Sequence, residues 1–162
     1  MKRLLFATVL LLPFGVLAQT QNPAESATPF KGANTILIHT ADSSGIALRK
    51  IAKALLIAGI EPDKIEPEIG YLTAKGKSSG SMSSAIFDYK IVTSPERGGT
   101  LLTISGSCTT RASLTHTIVV PMVWGASGNA KNCFVLIEPV AVSYAPATIG
   151  YLQKGENKAV IR

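Results

Sequence analysis

The stretch from Ile46 to Ala58 does most to limit what this chain can fold into. Ala47, Leu48, Ile51, Leu55 and Ala58 recur at helical spacing, while Arg49, Lys50 and Lys53 fall on the opposite side. One face is built for a core and the other for water. The ends are also legible: Asp42 or Ser43 can cap the first amides, Gly59 supplies a left-handed stop, Ile60 can fold back onto the last turn, and Pro62 forbids continuation. A strand, Asn34 to Thr40, precedes this helix, and a second, Ile65 to Lys75, follows it, starting in earnest after Pro67. A helix with a single apolar stripe must lay it against another layer, and strands on both sides make that layer a sheet.

Further along, Gly76 to Ser84 is Gly/Ser-rich and reads as a long loop. Ala85 to Thr93 puts Phe87, Tyr89 and Ile91 on one face against Asp88 and Lys90 on the other, the alternation of a half-buried strand. Ser94 to Gly99 is a turn by composition, and Thr100 to Cys108 completes a hairpin. Two more segments, Thr115 to Trp124 and Cys133 to Tyr144, carry β-forming residues. Pro121 and Pro139 cannot donate to a ladder, so these segments are expected as edge strands or broken ones. The expected fold class is therefore α+β: an antiparallel sheet with one amphipathic helix packed across it, β-α-β-β-β followed by further short strands.

Met1 to Ala18 has the parts of a secretory signal: basic Lys2-Arg3, an apolar run from Leu4 to Leu12, and Val16-Leu17-Ala18 before a cleavage site. The run is too short to span a bilayer, and no later segment reaches the length of a transmembrane helix. Export to the periplasm or medium is the expectation. Gln19 follows the cleavage site where a lipoprotein would need cysteine, so no lipid tether is expected. Residues 19–33 read as a mobile leader, 34–145 as a single domain, and 146–162 as a segment with no assignable period. Of the 16 basic residues the signal removes two, so the net charge of +6 falls to +4. That excess is mild and lacks the dense basic run with interleaved aromatics that nucleic-acid binding requires.

Cys108 and Cys133 are the only cysteines, and in an oxidising compartment an even pair reads as a disulfide. Such a bridge would place the end of the hairpin beside the next β-rich segment. A metal site from the same pair is not expected, since two cysteines 25 positions apart lack the paired Cys/His ligands of a zinc site.

Chemistry-bearing motifs are sparse. The run from Gly70 to Ser78 has five residues between its glycines where a phosphate loop has four, and it leads into a flexible segment rather than a helix. His39 and His116 are the only histidines. Asp42 is the one acid near His39 in sequence, and no serine sits in a Gly-x-Ser-x-Gly elbow. Glu61, Asp63, Glu66 and Glu68 cluster around two prolines as a solvated connection does. No cofactor or metal is implied. The strongest candidate for contact is the helix face bearing Arg49, Lys50 and Lys53, suited to an anionic envelope surface or an acidic envelope protein. Ile46 and Ile57 lie toward that same side and add apolar surface.

At Gly59-Ile60-Glu61-Pro62, followed by Ile69-Gly70-Tyr71-Leu72-Thr73-Ala74, the chain resembles small exported bacterial domains of the BamC-like, helix-grip type. These pass from an amphipathic helix through a glycine turn into a strand of this character, and the resemblance covers residues 34–108. It implies a non-enzymatic envelope domain, tethered or part of an assembly, with no catalytic residues to carry over. This chain departs from the pattern in lacking the lipid-bearing cysteine and a clear C-terminal helix beside the first. The reading is then an exported binding or scaffold module acting by surface contact. The alternatives are a periplasmic hydrolase using His39 or His116, and a carrier holding an apolar ligand between helix and sheet.

Overall fold

A computed structural model describes residues 25–77, 85–111, 116–144, 146–155 and 160–161. The expected signal, residues 19–24 of the leader and loop residues 78–84 lie outside these. The elements run β1 (Thr35–Thr40), α1 (Ser44–Ile57), β2 (Glu61–Glu66), β3 (Tyr71–Lys77), β4 (Ala85–Glu96), β5 (Gly99–Arg111), β6 (Thr117–Pro121), α2 (Gly128–Val142), β7 (Thr148–Leu152) and β8 (Val160–Ile161). All strand pairings are antiparallel, and the main path is β2-β3-β4-β5-β1-β7. The long β5 serves two neighbours on one edge: Thr100 to Ser105 pair with β1, and Ser107 to Arg111 pair with β6, which in turn pairs with β8. The fold is α+β.

The strands' period-2 alternation becomes one continuous apolar row. Ile65, Leu72, Ile91, Ile104, Ile36 and Tyr151 stand opposite one another across six strands, and all but the edge residue Ile65 are buried. Both helices cover this face. Leu48, Ile51 and Leu55 of α1 and Phe134, Ile137 and Ala141 of α2 are fully buried in the same cluster as the row. Gly106 makes room for the Tyr89 ring: a Cβ there would lie 2.9 Å from Tyr89 Cδ1. The tyrosine's hydroxyl donates to the Cys133 carbonyl of α2 at 2.9 Å, fixing helix to sheet.

The stop of α1 is built as its sequence indicates. Gly59 has φ +74°, its N–H donates to Leu56 O at 3.1 Å, and the Ile60 N–H donates to Leu55 O at 2.9 Å, the paired bonds of a Schellman motif. Ile60 folds back and is buried. Ser43 occupies the N-cap position but makes no side-chain cap bond.

Several expectations are corrected. The segment Cys133 to Tyr144, read as β-rich, lies almost wholly in α2, so a second helix packs beside the first. Its buried residues Cys133, Phe134, Ile137, Val140 and Ala141 have helical spacing, which outward-facing Val135 and Val142 obscured. The single strand Ile65 to Lys75 is a hairpin, β2 and β3, turning at Gly70 with φ +69°. The turn between β4 and β5 is only Arg97-Gly98, because the ladder continues to Glu96 opposite Gly99. The leader is not loose over residues 25–33: Ser26 and Tyr151 exchange backbone hydrogen bonds of 3.0 and 2.8 Å, Phe30 packs on the core, and Ala33 is fully buried. Beyond Pro146 the chain re-enters the sheet as β7 beside β1 and as β8.

Candidate functional site

α1 exposes the most cationic and apolar surface of the helix layer. The five buried residues on its inner side leave Arg49, Lys50 and Lys53 outward, with Leu56 and Ile57 60% and 79% exposed. α2 runs antiparallel to α1: its Leu136 approaches Gly76 and Ile60 past the end of α1, while Tyr144 bonds Asp42 just before the start. Between α1 and the turn that follows α2 lies a groove of about 360 Å³ lined by Lys50, Lys53, Ala54, Ile57, Ser143 and Tyr144. Val142, 57% exposed, adds apolar surface at the α2 end.

The three cations are not equivalent. Lys50 donates to both Asp42 carboxylate oxygens, at 2.9 and 2.7 Å, and its ammonium sits 5.9 Å from the centre of the Tyr144 ring. Lys50, with the Tyr144 hydroxyl at 2.9 Å, holds the Asp42 carboxyl below the usual carboxylate range. Burial, then Asp42, pushes the Tyr144 hydroxyl up. Arg49 and Lys53 make no ion pair among the described residues. Of the two, Lys53 lines the groove, and Arg49 lies one turn before it on α1.

The outer face of the sheet contrasts with this. Its cleft of about 380 Å³ is lined by Thr73, Lys75, Asp88, Lys90, Ser105 and Ser107, among others. Lys75 pairs there with Asp63 at 3.1 Å, Lys90 lies 5.5 Å from the Tyr71 ring centre, and Asp88 accepts from the Thr109 hydroxyl at 3.4 Å. Glu61 and Glu66 belong to β2, whose charges and Pro62 suit an edge strand that must not recruit others. The stretch Tyr71 to Lys77 is strand throughout, with no helix start at its lysine.

His39 has partners that its sequence neighbourhood did not suggest. Its Nδ1 lies 2.8 Å from Glu96 Oε2 and its Nε2 2.9 Å from Glu25 Oε1; Asp42 is engaged elsewhere. Glu25 is 14 residues away and Glu96 is 57, so only the sheet brings them together. Ionised carboxylates only accept, so both ring nitrogens must carry hydrogen, and the ring is held as imidazolium. Partial burial works against that charge, and the hydrogen bonds and charges of Glu96 and Glu25 outweigh it, raising the His39 pKa above its ordinary value. His116 is exposed at the entrance to β6, away from this cluster in the chain.

Cys108 on β5 and Cys133 on α2 are both buried and both free thiols; the expected bridge is not formed here. They face one helix–sheet layer, Cys133 Sγ lying 3.8 Å from the carbonyl of Ser107, the residue before Cys108. Any link between them would join sheet to helix, not strand to strand. Burial pushes the Cys133 thiol up to about 12, and burial raises Cys108 as well. No described helix is long and apolar enough to cross a membrane, and among the described residues no cluster of His, Cys, Asp and Glu could hold a metal ion. The chain matches no protein-family model, and no curated protein matches it.

Proposed function

We propose that the protein is an exported binding or scaffold module of the bacterial envelope, acting by surface contact through the helix layer and without turnover. One observation carries the reading: Lys53 and exposed Ile57 line the groove beside α1, Arg49 and exposed Leu56 lie on the same helix, and neither Arg49 nor Lys53 makes an ion pair among the described residues. A concave, apolar and cationic surface fits a protein segment that is acidic and partly apolar, and the partner is taken to be another envelope protein. The second helix beside α1 adds to the likeness with BamC-like domains, whose role is of this kind. Residues 1–18 supply the address.

The rival readings have less to stand on. Each ring nitrogen of His39 is committed to a carboxylate, which suits a structural cation better than a general base. The space between helix and sheet that a carrier would need is occupied by Leu48, Ile51, Leu55 and Phe134, all fully buried. In an oxidising compartment Cys108 and Cys133 are the pair that would close, tying β5 to α2.

The test is co-sedimentation with the native envelope fraction. Wild-type protein should sediment at low salt and be released as salt rises. Arg49→Gln/Lys53→Gln should remain soluble throughout with an unchanged thermal midpoint, because exposed unpaired charges contribute little to stability. Equal sedimentation of the two proteins contradicts the proposal. Lys50 is left in place because it also holds Asp42.

A further inference from the structure

The segment before β1 crosses the sheet in an unusual way. Ser26 pairs with Tyr151 on the outer edge of β7, and from there the Glu25 side chain reaches over β7 to His39 on β1. It passes at Gly150, where a Cβ would overlap the Glu25 carboxylate. Gly150 stands opposite Leu37, and Thr148 opposite His39, so the missing side chain at 150 leaves the space in which the Glu25 carboxylate lies on the outer face. From the other side Glu96, the last residue of β4, closes on His39. One imidazole therefore fastens two chain segments that share no backbone pairing with each other.

We propose that His39 is the clasp of a pH-sensitive strap: its imidazolium, gripped between Glu96 and Glu25, holds residues 25 and 26 on β7 and releases them when the ring loses its charge. The groups that face the ring from each packed element are few. Glu25 comes from the strap and Glu96 from β4; the cross-strand neighbours on β5 and β7 are Leu101 and Thr148, which do not titrate. Arg97 follows Glu96 in the exposed turn and is not among the groups that act on His39.

The sign follows from the geometry. A neutral ring carries one hydrogen, so it can satisfy only one carboxylate, and the other is left facing a lone pair. With the folded-state pKa raised by its two acids, the clasp is closed below about 6.5, the unfolded value, as long as both carboxylates are ionised, and is lost as pH rises through the folded one. Of the two acids Glu25 is the one free to leave, because Glu96 is fixed in the β4–β5 ladder opposite Gly99, while Glu25 is held by a single bridge. Opening would uncover the Tyr151 N–H and C=O on a sheet edge, groups that an incoming extended segment can pair with.

Hydrogen exchange on the full chain reads the strap directly, because the Tyr151 N–H donates to Ser26 O at 2.8 Å. Its protection, corrected at each pH for the intrinsic exchange rate, should fall about three- to tenfold between pH 6 and pH 9. Protection at Ile104 in the sheet centre should not change. His39→Asn should show the low Tyr151 protection at both pH values, and Gly150→Ala should do the same by displacing Glu25. Tyr151 protection that is constant with pH in the wild-type protein, or that falls equally in His39→Asn, would overturn the proposal.

Discussion

At the scale of single residues, burial decides what side chains can do. Cys108 and Cys133 are enclosed between β5 and α2, and burial, the largest influence on each, raises both thiols. A thiol held protonated is a poor nucleophile, so once the fold is complete these two oxidise slowly. If export delivers the chain unfolded into an oxidising compartment, pairing belongs to the folding stage. Protein isolated from the envelope without reductant should then show no titratable thiol after denaturation, and Cys108→Ser should cost about 2–4 kcal/mol. Two thiols per denatured chain would remove the bridge and weaken the case for export. The sequence supplied the pair but not its setting, because the partner segment was read as strand. His39 is a similar case: its type and position were visible, yet Glu25 and Glu96 reach it only through the pairing of β1 with β5 and β7.

At the scale of elements, what could be read was whatever alternates. In α1 apolar and charged residues segregate cleanly, and Gly59, Ile60 and Pro62 mark its end, so helix and stop were both legible. β4 and β5 alternate with period 2 and were found, though shorter than they are. α2 was not recognised because Val135 and Val142 face outward, giving apolar residues all round, and the segment's β-forming residues read as strand. β2 escaped for the opposite reason: Glu-Pro-Asp-Lys-Ile-Glu has one apolar branched residue, as an exposed edge strand can. Pro139 lies within α2, where it lacks the amide to continue the hydrogen-bond ladder and crowds the preceding turn. Pro139→Ala should therefore raise stability in urea denaturation, by about 1–3 kcal/mol. A loss of stability would mean that the proline's exposed ring supports a contact absent from the bonding described above.

At the scale of the whole molecule, the two sides of the sheet differ in kind. One side is closed by two antiparallel helices whose outer surface carries Arg49 and Lys53, without an ion pair among the described residues, and exposed Leu56, Ile57 and Val142. The other is a hydroxyl-rich face on which Lys75 pairs with Asp63, with residues 25 and 26 held over its β7 side. The candidate contact residues Arg49, Lys50 and Lys53 were legible because an amphipathic helix exposes whatever its apolar stripe excludes. The groove was not, since it needs α2. The central claim, that this helix layer is the contact surface, is tested most directly by placing a photo-crosslinking residue at Ile57, and separately at Thr73 on the outer sheet face, in the full chain. After irradiation in intact envelopes, the account predicts one discrete adduct from position 57, lost when Arg49 and Lys53 are both replaced with Gln, and none from position 73. A discrete adduct from position 73 with none from position 57 would contradict it.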